Sequence, residues 1–162
     1  MASKGTVGVV GTGIMGAPMA VNLAKAGYDV VAYNRTPAKA EALVGDGVRV
    51  ARSVAEVGAA APIVITMVPD TPDVLDVVEG PGGLAGSMAA GSVLIDMSTI
   101  APGATRELAA RLAERQIAIA DVVLAWPPYG MVRPACPASR STASKKDSPS
   151  VFMTKSKALP CA

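Results

Sequence analysis

Short apolar segments alternate along the chain with segments whose composition suits helices. The apolar segments are rich in valine and isoleucine and are bounded by glycine, proline or small polar residues, which is typical of buried strands. They predict six strands, at residues 7–10, 29–34, 48–51, 63–68, 92–97 and 117–120.

Helix signals lie between the predicted strands. Met15, Met19 and Leu23 are spaced by four residues, which places them on one face of a helix after the first strand. Later helices are predicted after the cap Thr36, after a capping box formed by Ser53 and Glu56, and at residues 71–78, 84–90 and 101–115.

Strands that alternate with helices predict repeated βαβ units and therefore a parallel sheet. Because the crossovers are right-handed, the expected fold class is α/β, with a doubly wound parallel sheet that binds ligands outside the carboxyl ends of its strands. A composition that is 51% hydrophobic and 17% charged fits a sheet covered on both faces.

Three glycines follow the first strand in a G-x-G-x-x-G pattern, at Gly11, Gly13 and Gly16. Gly11 suits a sharp turn, Gly13 lets a pyrophosphate approach the backbone, and Gly16 lets the next helix pack close to the sheet. The N–H groups at the start of that helix would then face the phosphates. A glycine turn that serves packing alone is the alternative, but the strand–turn–helix context favours dinucleotide binding.

The residues at the end of the second predicted strand indicate which dinucleotide is bound. This position meets the adenosine ribose, and an acidic residue there selects NAD. The sequence has Asn34, Arg35 and Thr36 instead, and Arg35 suits a two-pronged contact with the 2′-phosphate of NADP. NADP is therefore predicted, with NAD as second choice, and the alternative for Arg35 is a solvated loop cation.

Residues at the ends of the fourth and fifth predicted strands should line the same crevice. Their spacing alone does not separate ligand contacts from ordinary loop chemistry. They are Met67, Val68, Pro69 and Asp70 at the end of the fourth predicted strand, and Ser98 and Thr99 at the end of the fifth.

Composition limits the remaining classes of function. No apolar run is long enough to cross a membrane and the first residues do not form a secretory signal, so a cytoplasmic location without membrane partners is expected. Cys136 and Cys161 match no metal spacing, so no metal site is predicted, and a disulfide between them has only weak support in a reducing compartment.

The composition changes after Asp121. Residues 1–121 carry 9 basic and 12 acidic residues, whereas residues 122–162 carry 6 basic residues and 1 acidic residue, with six prolines and six serines. A dinucleotide-binding domain at 1–121 and a mostly irregular tail at 122–162 are therefore expected. The basic tail has no stacking pattern or motif for nucleic acid, so nucleic-acid binding is not expected.

Together, these segments resemble the β-hydroxyacid dehydrogenase family, which includes 3-hydroxyisobutyrate dehydrogenase, tartronate semialdehyde reductase, the glyoxylate/succinic semialdehyde reductases and, more distantly, 6-phosphogluconate dehydrogenase. The matching segments are GTGIMGAPMAVNLAKAGYDV, YNRTPAKAEALV, ITMVPDTPDV, GPGGL and IDMSTIAP. The resemblance implies a Rossmann-like domain and hydride transfer between a nicotinamide cofactor and a small β-hydroxy acid or its semialdehyde. It implies cofactor contacts at Gly11, Thr12, Gly13, Ile14, Met15, Gly16, Asn34, Arg35, Thr36, Met67, Val68, Pro69 and Thr99.

The sequence departs from this family after the sixth predicted strand. Family members continue with DAPVSGG and a helical domain that carries the catalytic lysine, whereas Asp121 is followed here by VVLAWPPYGMVRPACPASRS. No catalytic residue is therefore predicted, and a truncated domain that binds its cofactor without efficient turnover is expected. A reading-frame change in the gene is one hypothesis for this tail.

A second class of function stays open at this point. The chain would then be a non-catalytic dinucleotide-binding scaffold or sensor rather than a piece of an oxidoreductase. In either case, the absence of a helical domain would leave apolar surface exposed, which favours self-association, as a homo-oligomer or by aggregation.

Overall fold

The computed structural model describes residues 3–122 and 132–134. The described residues form seven strands, β1 (Thr6–Val10), β2 (Asp29–Tyr33), β3 (Val48–Val50), β4 (Ile63–Thr66), β5 (Val93–Asp96), β6 (Ala118–Val122) and β7 (Val132–Pro134). They also form six helices, α1 (Gly16–Lys25), α2 (Pro37–Glu41), α3 (Val54–Ala60), α4 (Thr71–Glu79), α5 (Leu84–Ser87) and α6 (Pro102–Glu114). A 3₁₀ turn at Val44–Asp46 precedes β3.

The strands form one sheet in the order β3-β2-β1-β4-β5-β6-β7. Every pair among the first six strands is parallel, and β7 pairs antiparallel with β6. The strand order reverses between the neighbours β1 and β4, so their following loops diverge and leave a crevice at the carboxyl ends. The predicted α/β, doubly wound parallel sheet is confirmed.

Alternate residues of the strands face two apolar layers. On one face, Val9, Val30 and Ala32 pack in a cluster with Ala20 of α1. The opposite face carries a larger cluster, which the four later helices complete with Val57, Val74, Leu84 and Leu108. Burial on both faces explains why these strands are apolar throughout instead of alternating with polar residues.

The α1 face of the sheet is less covered where it continues onto β4, β5 and β6. Ile63 and Ala118 on this face are exposed and Ile95 is half-buried, whereas Val64 and Leu94 on the opposite face are fully buried. An apolar strip on the sheet is therefore partly open to solvent.

Several element boundaries differ from the sequence prediction. The predicted strand at 63–68 is paired only as far as Thr66, and the helix after Thr36 ends at Glu41, before the glycines at 45 and 47. Thr36 does stand at the cap position of α2, but its side chain makes no capping hydrogen bond. The Ser53 hydroxyl accepts from the Glu56 N–H as a capping box requires, whereas the Glu56 carboxylate accepts from the Arg52 N–H.

Most of the predicted irregular tail, including Cys136 and Cys161, lies outside the described residues. Within it, Val132–Pro134 forms β7, which no apolar pattern in the sequence indicated. None of the helices in the described part of the chain has the length and hydropathy needed to span a membrane.

Candidate functional site

A cleft of about 800 Å³ opens at the carboxyl ends of β1, β2 and β4, at the reversal of strand order. Its walls contain residues from the loops after all three strands and from the first turns of α3 and α4. The predicted contact residues among them are Gly11, Gly13, Ile14, Met15, Gly16, Asn34, Arg35, Thr36, Met67, Val68 and Pro69.

The three glycines after β1 occupy three different environments. Gly11 has a φ of +98°, and a Cβ there would lie 2.2 Å from the carbonyl oxygen of Met67. A Cβ on Gly16 would lie 1.8 Å from the carbonyl oxygen of Gly11. A Cβ on Gly13 would meet no heavy atom within 4 Å. Gly11 and Gly16 are therefore required for packing, whereas Gly13 leaves open space on the cleft side.

The loop from Gly13 to Met15 presents backbone donors at the start of α1. Among the described residues, the N–H groups of Gly13, Ile14 and Met15 donate to no acceptor, and the first intrahelical bond runs from the Ala17 N–H to the Gly13 carbonyl at 3.0 Å. Unpaired N–H groups at a helix N-terminus attract anions. Ile14 is 94% exposed and Met15 48% exposed, so the two side chains border the opening instead of joining the buried face of α1.

Asn34 joins the glycine loop to the loop after β2. Its side-chain oxygen accepts from the Thr12 N–H at 3.0 Å, and its side-chain NH₂ donates to the Thr36 carbonyl at 3.0 Å. Thr12 itself is buried and does not line the cleft, and its hydroxyl has no hydrogen-bond partner among the described residues. The amide of Asn34 therefore has a structural role at the position where an acid would select NAD.

Charged side chains divide the cleft into two walls. Arg35, Lys39 and Arg52 stand on the side of β2 and β3, and Asp73 and Asp76 stand on α4 opposite them. An ion pair crosses between the walls, from the Arg35 Nη1 to an Asp73 carboxylate oxygen at 3.2 Å. The basic wall lies where the predicted adenosine end of a dinucleotide would be.

Hydrogen bonds connect the loops after β4 and β5 beneath the cleft. The Val68 N–H donates to the Ser98 hydroxyl at 3.0 Å, and the Ser98 N–H donates to an Asp96 carboxylate oxygen at 3.1 Å. The Thr66 hydroxyl donates to the same oxygen at 2.8 Å. Asp96 is fully buried, so this network fixes the wall residue Val68 through groups that do not reach the cleft themselves.

Burial raises the pKa of Asp96 above its usual value of 3.8, although hydrogen bonds from Ser98 and Thr66 oppose the shift. The neighbouring carboxylate of Asp121 adds to the increase. A raised pKa in the folded state means that the native chain binds the proton more tightly than the unfolded chain does. The stabilisation that the protonated Asp96 carboxyl gives to the folded chain is complete below pH 3.8. It is lost as the pH rises through the folded-state pKa of Asp96.

We expect Asp96→Asn to remove this pH dependence, because the amide keeps an acceptor oxygen for Thr66 and Ser98 and does not ionise. The free energy of unfolding of the wild type should decline relative to that of the variant as the pH rises from 3.8 through the folded-state pKa of Asp96. Urea unfolding at several pH values measures this. Asp46→Asn, at an exposed carboxylate, is the control, and a wild-type curve parallel to that of Asp96→Asn would contradict the prediction.

The structure also places residues in the cleft that sequence reasoning did not identify. They include Lys39, Arg52, Ser53, Asp73, Asp76 and the turn at residues 81–83. Arg52 follows β3, and its position after a predicted strand was the available signal. Thr99 is exposed and does not line the cleft, so its predicted cofactor contact stays a prediction.

Among the described residues, no three acidic, histidine or cysteine side chains are grouped to hold a metal ion.

Comparison with known proteins identifies the family of this chain. Residues 6–124 match the model of the NAD binding domain of 6-phosphogluconate dehydrogenase. The mitochondrial 3-hydroxyisobutyrate dehydrogenase of Mus musculus is 43% identical over 109 residues, which make up 67% of this chain and 32% of that protein.

Two solved structures share the fold. The 3-hydroxyisobutyrate dehydrogenase of Mycobacterium tuberculosis, solved with L-serine, matches with a TM-score of 0.69 and 31% identity, over 75% of this chain and 41% of that one. Psf3 in complex with NADP+ and 2-OPP matches with a TM-score of 0.70 and 26% identity, over 74% of this chain and 43% of that one. The chain thus spans less than half of the length of each of these proteins.

Proposed function

The chain belongs to the family of NAD-binding domains found in 6-phosphogluconate dehydrogenase and 3-hydroxyisobutyrate dehydrogenase-type oxidoreductases, and on that premise we propose that it binds NADP(H) in the cleft at the carboxyl ends of β1, β2 and β4. The observation that carries the proposal is the open space beside Gly13, next to unpaired N–H groups at the start of α1. A diphosphate fits such a cradle because it supplies acceptors and negative charge together.

The preference for NADP over NAD rests on the adenosine end of the cleft. Asn34 stands where NAD-selective domains have an acid, and its side chain is already engaged by Thr12 and Thr36. Arg35, Lys39 and Arg52 supply positive charge on the same wall. A 2′-phosphate would find cationic donors there and, among the described residues that line the cleft, no carboxylate from the loop after β2. The NADP+ bound to Psf3 supports this choice by analogy.

The chain's own residues would bind and orient the cofactor. When bound, the nicotinamide ring supplies hydride transfer. The glycine loop would hold the diphosphate, and Val68, fixed through Ser98 and Asp96, would keep the wall beneath the cofactor in place. The substrate class that we propose for oxidoreductases built on this domain is a small 3-hydroxy acid or semialdehyde, in keeping with the 3-hydroxyisobutyrate dehydrogenase relatives.

The 162-residue chain by itself should bind the cofactor with little turnover. It spans 32% of the mouse relative and 41% of the mycobacterial one. Efficient hydride transfer also needs a proton donor placed at the substrate and a closed crevice around it, and we assign neither role to the described residues of the cleft. The cytoplasmic location predicted from the sequence stays a prediction.

Titration of the purified chain with NADPH and NADH, followed by thermal unfolding, tests the proposal. A ligand that binds only the folded state raises the midpoint temperature with its concentration, and the tighter nucleotide raises it more. Stabilisation by NADPH at lower concentration than by NADH is the expected result. A chain whose unfolding responds to neither nucleotide would overturn the proposed function.

We expect Arg35→Ala to weaken NADPH binding by about tenfold or more while changing NADH binding little, because charge-assisted hydrogen bonds to a phosphate are lost. Arg49→Ala is the matched control, since Arg49 does not line the cleft and pairs with Asp29, the first residue of β2, at 2.7 Å. Dissociation constants from nucleotide fluorescence or calorimetry provide the measurement. Equal losses for both nucleotides would argue that Arg35 makes no contact with the 2′-phosphate.

The partly open strip at Ile63, Ile95 and Ala118 bears on the oligomeric state. Exposed apolar surface on a sheet favours association with a second copy. A homo-oligomer in solution is therefore part of the proposal, and light scattering across a range of protein concentrations tests it.

A further inference from the structure

The ion pair between Arg35 and Asp73 crosses the cleft at its adenosine end. Arg35 follows β2, and Asp73 belongs to the first turn of α4 on the facing wall. Both residues line the cleft, so the contact lies within the space that a ligand would enter. The pair is separated by 38 residues in sequence and is the direct connection between these two charged walls among the described residues.

The two partners are held very differently. The Asp73 N–H donates to the Asp70 carboxylate at the start of α4 at 3.3 Å, and the Asp73 side chain is 28% exposed. The Arg35 side chain is 85% exposed and uses one guanidinium nitrogen for this contact. The backbone of Asp73 is therefore held at the start of α4 and its side chain is the less exposed of the two, so the guanidinium is the partner that can move more freely to another anion.

A carboxylate and a phosphate compete for the same guanidinium N–H groups. To pair with Arg35, a 2′-phosphate must first draw the guanidinium away from Asp73. A ribose 2′-hydroxyl is neutral and can leave the ion pair intact. The cost of separating the pair therefore falls on NADP(H) and hardly on NAD(H).

We propose that Asp73 is a specificity-determining residue, which acts as an internal competitor for Arg35 and reduces the preference of the cleft for NADP(H) over NAD(H). The inference rests on the proposed function, because it assumes that a dinucleotide occupies this cleft. Cofactor choice is usually determined by residues at the end of β2. The inference extends this set to a residue on α4.

Asp73→Asn tests the inference, with Asp76→Asn as the matched control. Asp76 lies on the same helix and lines the same cleft, and it has no ion pair with Arg35 among the described residues. The control thus removes the same charge from the same wall without releasing Arg35. Relative to Asp76→Asn, Asp73→Asn should tighten NADPH binding by about two- to fivefold and leave NADH binding nearly unchanged.

The double variant Arg35→Ala/Asp73→Asn separates competition from general electrostatics. Once Arg35 is absent, Asp73→Asn should give no more gain in NADPH affinity than Asp76→Asn gives in the same background. An equal gain for Asp73→Asn and Asp76→Asn in the presence of Arg35 overturns the inference while the proposed function stands. An equal gain for NADPH and NADH also overturns it. A wild-type chain that binds neither nucleotide overturns the proposed function and this inference with it.

Discussion

Replacing Gly13 by aspartate should abolish dinucleotide binding and leave the fold intact. The added side chain meets no heavy atom within 4 Å of its Cβ and requires no positive φ, so the folded chain can accept it. The carboxylate would project into the space proposed for the diphosphate. Two like charges about 4 Å apart near a protein surface repel by about 4 kcal/mol, so a loss of binding of about 100-fold or more is expected.

Gly45→Asp is the control for the added charge. Gly45 is exposed in the 3₁₀ turn before β3, and its Cβ position is equally open. This substitution should leave both the midpoint of thermal unfolding and the NADPH dissociation constant nearly unchanged. Gly13→Ala should give an intermediate loss, because it adds bulk without charge. Binding by the Gly13→Asp variant at wild-type strength would show that the diphosphate does not lie beside this residue.

The fold was predictable from sequence because strands buried on both faces have continuous apolar runs, and helices between them fix a parallel sheet. The ends of the strands were less predictable. Met67 and Val68 extend the apolar run of β4, yet they lie past its last paired residue and line the cleft. Hydrophobicity reports burial from bulk water, so it does not mark the point at which strand pairing stops and a ligand-facing loop begins.

Contacts in the site were predictable only where a local pattern encodes them. Gly11, Gly13 and Gly16 follow from their spacing, because each has a distinct steric requirement. The pairing of Arg35 with Asp73 depends on how α4 is placed against the loop after β2, and no local pattern records that placement. The same holds for β7, whose three residues become a strand only because the edge of β6 is available for pairing.

Replacing Gly16 by alanine should destabilise the fold itself, in contrast to any change at Gly13. Its Cβ would lie 1.8 Å from the Gly11 carbonyl oxygen, which belongs to the backbone and cannot rotate away as a side chain could. Overpacking of this kind requires α1 to shift from the sheet, and a loss of about 3 kcal/mol is expected. In a domain of this size that corresponds to a fall in the unfolding midpoint on the order of 10 °C.

Gly103→Ala distinguishes this clash from the ordinary effect of adding a methyl group to a helix. Gly103 is exposed near the start of α6 with no heavy atom near its Cβ position, so alanine there should stabilise the chain by about 0.5 kcal/mol. Calorimetry of both variants without nucleotide provides the comparison. If Gly16→Ala kept the wild-type midpoint but lost NADPH binding, α1 would have room to move, and Gly16 would be needed for ligand approach, like Gly13, and not for packing.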